Sequence, residues 1–104
     1  MKPTRFVVQA KREFAEAAVW YESNQLGLAN RFLEEIEQQL ALIREHPAVF
    51  PILQDVPREL EVRRSLLRRF PYGLIFVELD NEIQILALAH NRRQPGYWLD
   101  RLEG

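Results

Sequence analysis

Residues 62–101 read VRRSLLRRFPYGLIFVELDNEIQILALAHNRRQPGYWLDR. Within this stretch Tyr72–Leu79 and Glu82–Ala89 are strand-length runs rich in Ile, Val, Leu and Phe. Asp80-Asn81 links them, a pair of residue types that tolerate positive φ, so the two runs predict a β-hairpin. Leu60–Leu67 sets Leu60, Val62, Arg64 and Leu66 against Glu61, Arg63, Ser65 and Leu67, which adds a third strand before the hairpin. Arginine pairs bracket the apolar runs: Arg63-Arg64 and Arg68-Arg69 before them, Arg92-Arg93 after. A small sheet folds on its alternating apolar residues and has no need of guanidinium groups at its strand ends. Permanently charged and forked, those groups suit a phosphate or carboxylate partner.

Upstream, Arg5-Phe6-Val7-Val8-Gln9 reads as a short strand. From Ala10 the period becomes helical, with Phe14, Ala17, Ala18 and Tyr21 on one side and Lys11, Arg12, Glu13 and Glu16 facing solvent. Ser23-Asn24-Gln25 breaks this helix. A second helix carries the stripe Leu28, Ala29, Phe32, Leu33, Ile36, Leu40 and Ile43, with Glu34, Glu35, Glu37, Gln38 and Arg44 on its polar sides. It ends at His46, because Pro47 disfavours helical geometry in the residue before it. Pro47–Glu59 holds three prolines and no clean period and is read as a surface loop. Pro95–Arg101 predicts a short closing helical turn. The expected order is β-α-α-β-β-β with a short final α: an α+β fold over residues 1–104, one domain, in which a curled antiparallel sheet packs on an N-terminal helical hairpin and leaves its other face partly open.

Bulk properties exclude several classes. A chain of 104 residues with 47% hydrophobic and 28% charged residues is an ordinary globular composition. No apolar run approaches the roughly 20 residues of a membrane span, and MKPTRFVV is not a signal peptide. A cytoplasmic location without membrane contact is expected. Cysteine is absent, which removes disulfides, thiolate metal sites and cysteine nucleophiles. Residues 1–60 hold seven basic and nine acidic side chains and residues 61–104 seven and six. The protein is therefore no general polyanion binder, although Val62–Tyr72 contains four arginines and no acid.

Catalytic signatures are missing. The four glycines are scattered, and His46 and His90 lack metal-ligand spacing, so no metal and no cofactor are expected. Arg63, Arg64, Arg68, Arg69, His90, Arg92, Arg93 and Tyr97 remain near the strand ends and the C-terminal turn. One reading is RNA cleavage by general acid–base chemistry, with Arg63, Arg92 or Arg93 stabilising charge on phosphorus and Tyr97 or His90 carrying protons. The other is that arginines on edge strands blunt aggregation and meet acidic helix faces, with Tyr97 and Trp98 plugging the core. Phe32, Phe70, Tyr72, Phe76 and Trp20 read as core or rim packing, and the glutamates of the second helix as a solvated face.

The order of these pieces resembles the RelE/ParE superfamily of toxins from bacterial type II toxin–antitoxin systems. The matching features are Ala10, Phe14, Ala17, Trp20 and Tyr21 in the first helix and RFLEEIEQQLALIREHP in the second. VRR at Val62–Arg64, RFPYGLIF at Arg69–Phe76 and ILALAHNRRQPGYW at Ile85–Trp98 follow. The resemblance implies the same fold, toxicity neutralised by a cognate antitoxin, and contact with operator DNA only through that antitoxin. RelE-like members cut messenger RNA on the ribosome with lysines and arginines on the sheet and a C-terminal acid–base residue; ParE-like members inhibit DNA gyrase and need no nuclease groups. This chain has lysine only at Lys2 and Lys11, none on the sheet, and a pI near 6.1. Its FPY strand and HNRRQPGYW ending look closer to ParE-like chains. The resemblance thus implies a gyrase inhibitor whose Arg63, Arg64, Arg92, Arg93, Tyr97 and Trp98 contact target or antitoxin. An mRNA endonuclease using Arg63, Arg92, Arg93, Tyr97 and His90, or a non-toxic antitoxin-binding module, are the alternatives.

Overall fold

A computed structural model describes residues 1–102. Strand β1 (Thr4–Phe6) leads into helix α1 (Val8–Asn24) and helix α2 (Leu28–Glu45), then strands β2 (Arg63–Leu66), β3 (Tyr72–Glu78) and β4 (Ile83–His90). Single 3-10 turns lie at Pro47–Val49, Arg58–Leu60 and Leu99–Arg101. The α+β order is the expected one. The first strand is shorter than the sequence implied, because Val7 is the cap of α1: its N–H donates to the Ile85 carbonyl and its own carbonyl accepts from Lys11. Leu60 and Glu61 likewise fall outside β2, where Glu61 takes a left-handed φ of 49° to leave the preceding 3-10 turn.

The sheet order is β1-β4-β3-β2. β2, β3 and β4 are antiparallel, as expected, but β1 joins β4 in parallel, pairing Thr4 with Ile83 and Phe6 with Ile85. The sheet is therefore mixed rather than antiparallel throughout. The helical hairpin provides the crossover that a parallel pair requires. In β4 the register slips by one residue: Ile75 faces Ala87 while Phe76 faces Ile85. Leu86 is the extra residue, so Leu86 and Ala87 both turn to the same core, the mark of a β-bulge.

Both sheet faces are covered. Under the helices Leu74, Phe76, Ile83, Ile85 and Leu88 meet Ala17, Tyr21, Phe32, Ile36 and Ile43. Tyr21, Phe32, Phe70 and Tyr72 form a ring cluster with centroids 4.9–6.3 Å apart, and each buried side chain of this size contributes about 1.5–3 kcal/mol. The opposite face is less open than the sequence suggested, since Val56 of the proline-containing loop and Trp98 close over Ile75, Val77 and Leu86. Four polar side chains enter these layers. Ser65 donates to Gln39 at 2.7 Å. Gln84, 1% exposed, has neither amide atom bonded among the described residues. Glu35, read from sequence as solvated, is 7% exposed because its carboxylate accepts the backbone N–H groups of Arg68 and Arg69.

Candidate functional site

The start of β3 and the end of β4 share one end of the sheet: Tyr72 pairs with His90, and the Asn91 N–H donates to the Pro71 carbonyl at 2.8 Å. The turns carrying Arg68-Arg69 and Arg92-Arg93 are thereby neighbours. Arg64 joins them from β2. Its stem lies along Gly73, where a side-chain carbon would come within 3.2 Å of Arg64 Cγ. Arg64, His90 and Arg93 line one shallow cleft on the face away from the helices.

Arg63 does not belong to this rim. Strand alternation turns it to the helix side, where its guanidinium donates to the carbonyls of Phe50 at 2.6 Å and Ala48 at 3.2 Å. It fastens the loop after α2 instead of facing a partner. Trp98 is also misplaced as a contact residue, being 3% exposed within the far core. Trp20, read as packing, has the opposite fate: it is 59% exposed, with its indole edge-on to Tyr21 at 5.1 Å.

Tyr97 sits at the centre of an unforeseen constellation. Its hydroxyl donates to Glu13 Oε2 at 2.6 Å, Arg93 stacks over its ring at 3.9 Å, and Arg101 flanks the ring at 5.0 Å. Burial first, then the Glu13 hydrogen bond, push its phenol far above the usual tyrosine value. Arg101 grips Glu13 through both nitrogens. Beyond Phe6 the edge of β4 opposite β3 has no strand beside it, and these two side chains take the strand's place: Leu88 N–H donates to Glu13 and Arg101 donates to the Leu86 carbonyl. Glu13 was legible in principle, since it shares the helical spacing of Ala10, Ala17 and Tyr21 and is an acid on an apolar stripe. His90 packs edge-on against Tyr72 at 5.1 Å, and its Nδ1 accepts the Arg92 N–H.

The rim thus collects arginines, with Tyr97 bonded to Glu13 and His90 Nδ1 to the Arg92 amide, while Asp55 lines the same cleft as Arg64, His90 and Arg93. Among the described residues no group of His, Asp or Glu is arranged to hold a metal, and no helix is long and apolar enough to cross a membrane.

The chain is a toxin of a type II toxin–antitoxin system. Residues 5–95 match the family model of the ParE toxin of the type II toxin–antitoxin system parDE, and the chain belongs to that family. A solved structure described as the chromosomal ParDE TA system from P. aeruginosa has the same fold, with a TM-score of 0.71 over 86% of this chain and 96% of that one at 22% identity. No curated protein sequence matches the chain.

Proposed function

We propose that this ParE-family toxin arrests growth by binding DNA gyrase in the cytoplasm, without catalysis of its own, and that direct contact with an antitoxin neutralises it. The observation that carries this reading is the engagement of Tyr97. A nuclease needs an acid and a base free to exchange protons with substrate. Here the Tyr97 proton is committed to Glu13 at 2.6 Å and the lone pair on His90 Nδ1 to the Arg92 amide. With those two groups engaged, the rim offers mainly guanidinium charge, which suits recognition.

The antitoxin would occupy the groove between β1 and the helical hairpin, lined by Phe6, Phe14, Leu33, Ile36 and Leu40 with Lys11 and Glu37 at its margins. β1 pairs on one side only, so its outer edge accepts an added strand while the apolar trough accepts a helix.

The test is induction of the chain without antitoxin, followed by pulse-labelling of DNA and protein synthesis. An early stop in DNA synthesis, reproduced as inhibition of purified gyrase, supports the proposal. An early stop in protein synthesis would assign messenger RNA as the target and return Arg64, His90 and Arg93 to consideration as a cleavage site. Unimpaired growth with soluble protein present would leave only antitoxin binding.

A further inference from the structure

A second cluster of cations lies apart from the cleft on the far face. Arg31 of α2 and Arg68 and Arg69 of the β2–β3 turn line one open cleft, with Tyr21, Phe70 and Pro71 among its other residues. The buried Glu35 carboxylate takes the backbone amides of Arg68 and Arg69, so it fixes the turn without touching either guanidinium. The ion pairs among the described residues are Lys2–Glu78, Arg5–Glu82 and Glu13–Arg101. None uses Arg31, Arg68 or Arg69, although Glu34 and Glu35 stand three and four residues from Arg31. Three guanidinium groups are thus presented without an ion pair among the described residues; Glu34 shares the cleft, Glu35 is held by backbone amides, and the excess of guanidinium charge suits oxyanions.

A neighbouring cleft shares Tyr21 and Pro71 with this one and adds the exposed Trp20 indole, with Arg93 and Glu16 on its wall. Tyr21 lies between the two, its ring 5.1 Å from Trp20 and 4.9 Å from Phe70. Arginines beside an exposed aromatic face are what a single strand uses, because its bases are free to stack on protein rings while a duplex keeps them stacked on one another.

We propose that this surface binds single-stranded nucleic acid, with successive phosphates on Arg31, Arg68 and Arg69 and a base against Trp20. The net charge of −1 gives no whole-molecule attraction, so the affinity is local and sensitive to salt. The inference stands beyond the gyrase reading, and its test contains no gyrase.

The purified full-length chain is titrated against fluorescein-labelled oligo-dT, oligo-U and a duplex of equal length. Strand binding at low salt should fall with log salt at a slope of about −2, near 0.7 per phosphate contact for three contacts. Arg68→Ala/Arg69→Ala should reduce the slope to about −0.7, Arg68→Lys/Arg69→Lys should restore most of it, and Arg31→Ala should act in the same direction as the alanine pair. Trp20→Ala should weaken strand binding about tenfold and leave any duplex binding unchanged. Tighter binding of either oligo-dT or oligo-U names the natural strand, and equal binding assigns recognition to the shared backbone; both support the site. Absence of strand binding at low salt, an unchanged slope in soluble Arg31→Ala and in the alanine pair, or duplex binding as tight as strand binding with Trp20→Ala silent would overturn it.

Discussion

The Glu13 carboxylate and the Arg101 guanidinium meet in two parallel contacts of 2.9 and 3.1 Å, across 88 residues of sequence. Each also bonds the β4 backbone, so the pair serves as a side-chain substitute for the strand that ends at Phe6. The side chains are only 16% and 12% exposed, which places this bridge well above a surface ion pair in importance.

Removing one partner tests that claim. Glu13→Ala leaves the Arg101 guanidinium, the Tyr97 hydroxyl and the Leu88 amide without their acceptor, at a cost of about 2 kcal/mol or more. Urea unfolding of the variant measures it. A change within about 0.5 kcal/mol, as for an exposed site, would show that water replaces the bridge without loss.

The alkaline limb of stability follows from Tyr97. Its folded pKa is raised from 10.0 by burial and by Glu13. Below pH 10 the phenol is protonated in both states and its contribution is intact. Above pH 10 the unfolded chain ionises first, so stability is lost as pH climbs toward the folded value. Tyr21 and Tyr72, also raised by burial, act with the same sign. Denaturation midpoints on either side of pH 10 should decline less steeply in Tyr97→Phe. An identical decline in wild type and variant would contradict the assignment.

Gln84 offers a gain. Its amide is buried with no partner among the described residues, and an unsatisfied polar group carries its full desolvation penalty. Gln84→Met keeps the volume and should raise stability by about 1 kcal/mol, read as a higher urea midpoint. A lower midpoint would mean that the amide is satisfied in solution.

Arg92→Ala/Arg93→Ala separates binding from folding. Arg92 is exposed and in no ion pair among the described residues, and Arg93 contributes its stacking on Tyr97, so the unfolding free energy should change by about 1 kcal/mol at most. Growth inhibition should drop sharply. Full toxicity from soluble double variant would remove this rim from the target surface.

Gly73→Ala acts on Arg64 at one remove. The added methyl would stand 3.2 Å from Arg64 Cγ and 3.3 Å from Leu66 Cδ2, and both exposed side chains have room to move. Stability should fall by less than about 1 kcal/mol, while toxicity follows that of Arg64→Ala. A loss of folding instead would place the close approach among structural constraints.

The sequence disclosed the fold more fully than the site. The Leu28–Ile43 stripe and the Asp80-Asn81 link are local signals, and both survived in place. The parallel direction of β1 left no trace in three residues, because direction is set by where the helical crossover returns the chain. Arg63 and Arg64 could have been parted from sequence: the alternation that makes their segment a strand puts adjacent residues on opposite faces. Glu13 and Glu35 could be suspected but not assigned. An acid flanking an apolar stripe is solvated unless backbone amides dock on it, and here the amides come from β4 and from the β2–β3 turn, remote in sequence. Tyr97 and Arg101 depended in turn on Glu13.

The Glu13–Arg101 bridge also has a consequence for synthesis. A nascent chain carries Glu13 from early on but gains Arg101 only after all four strands have been made. Until then the β4 edge beyond Phe6 lacks its cover, and a bare strand edge is a template for pairing with other chains. Copies stalled before residue 101 should therefore be sticky, protease-sensitive species, so translational arrest would yield debris instead of a shortened toxin.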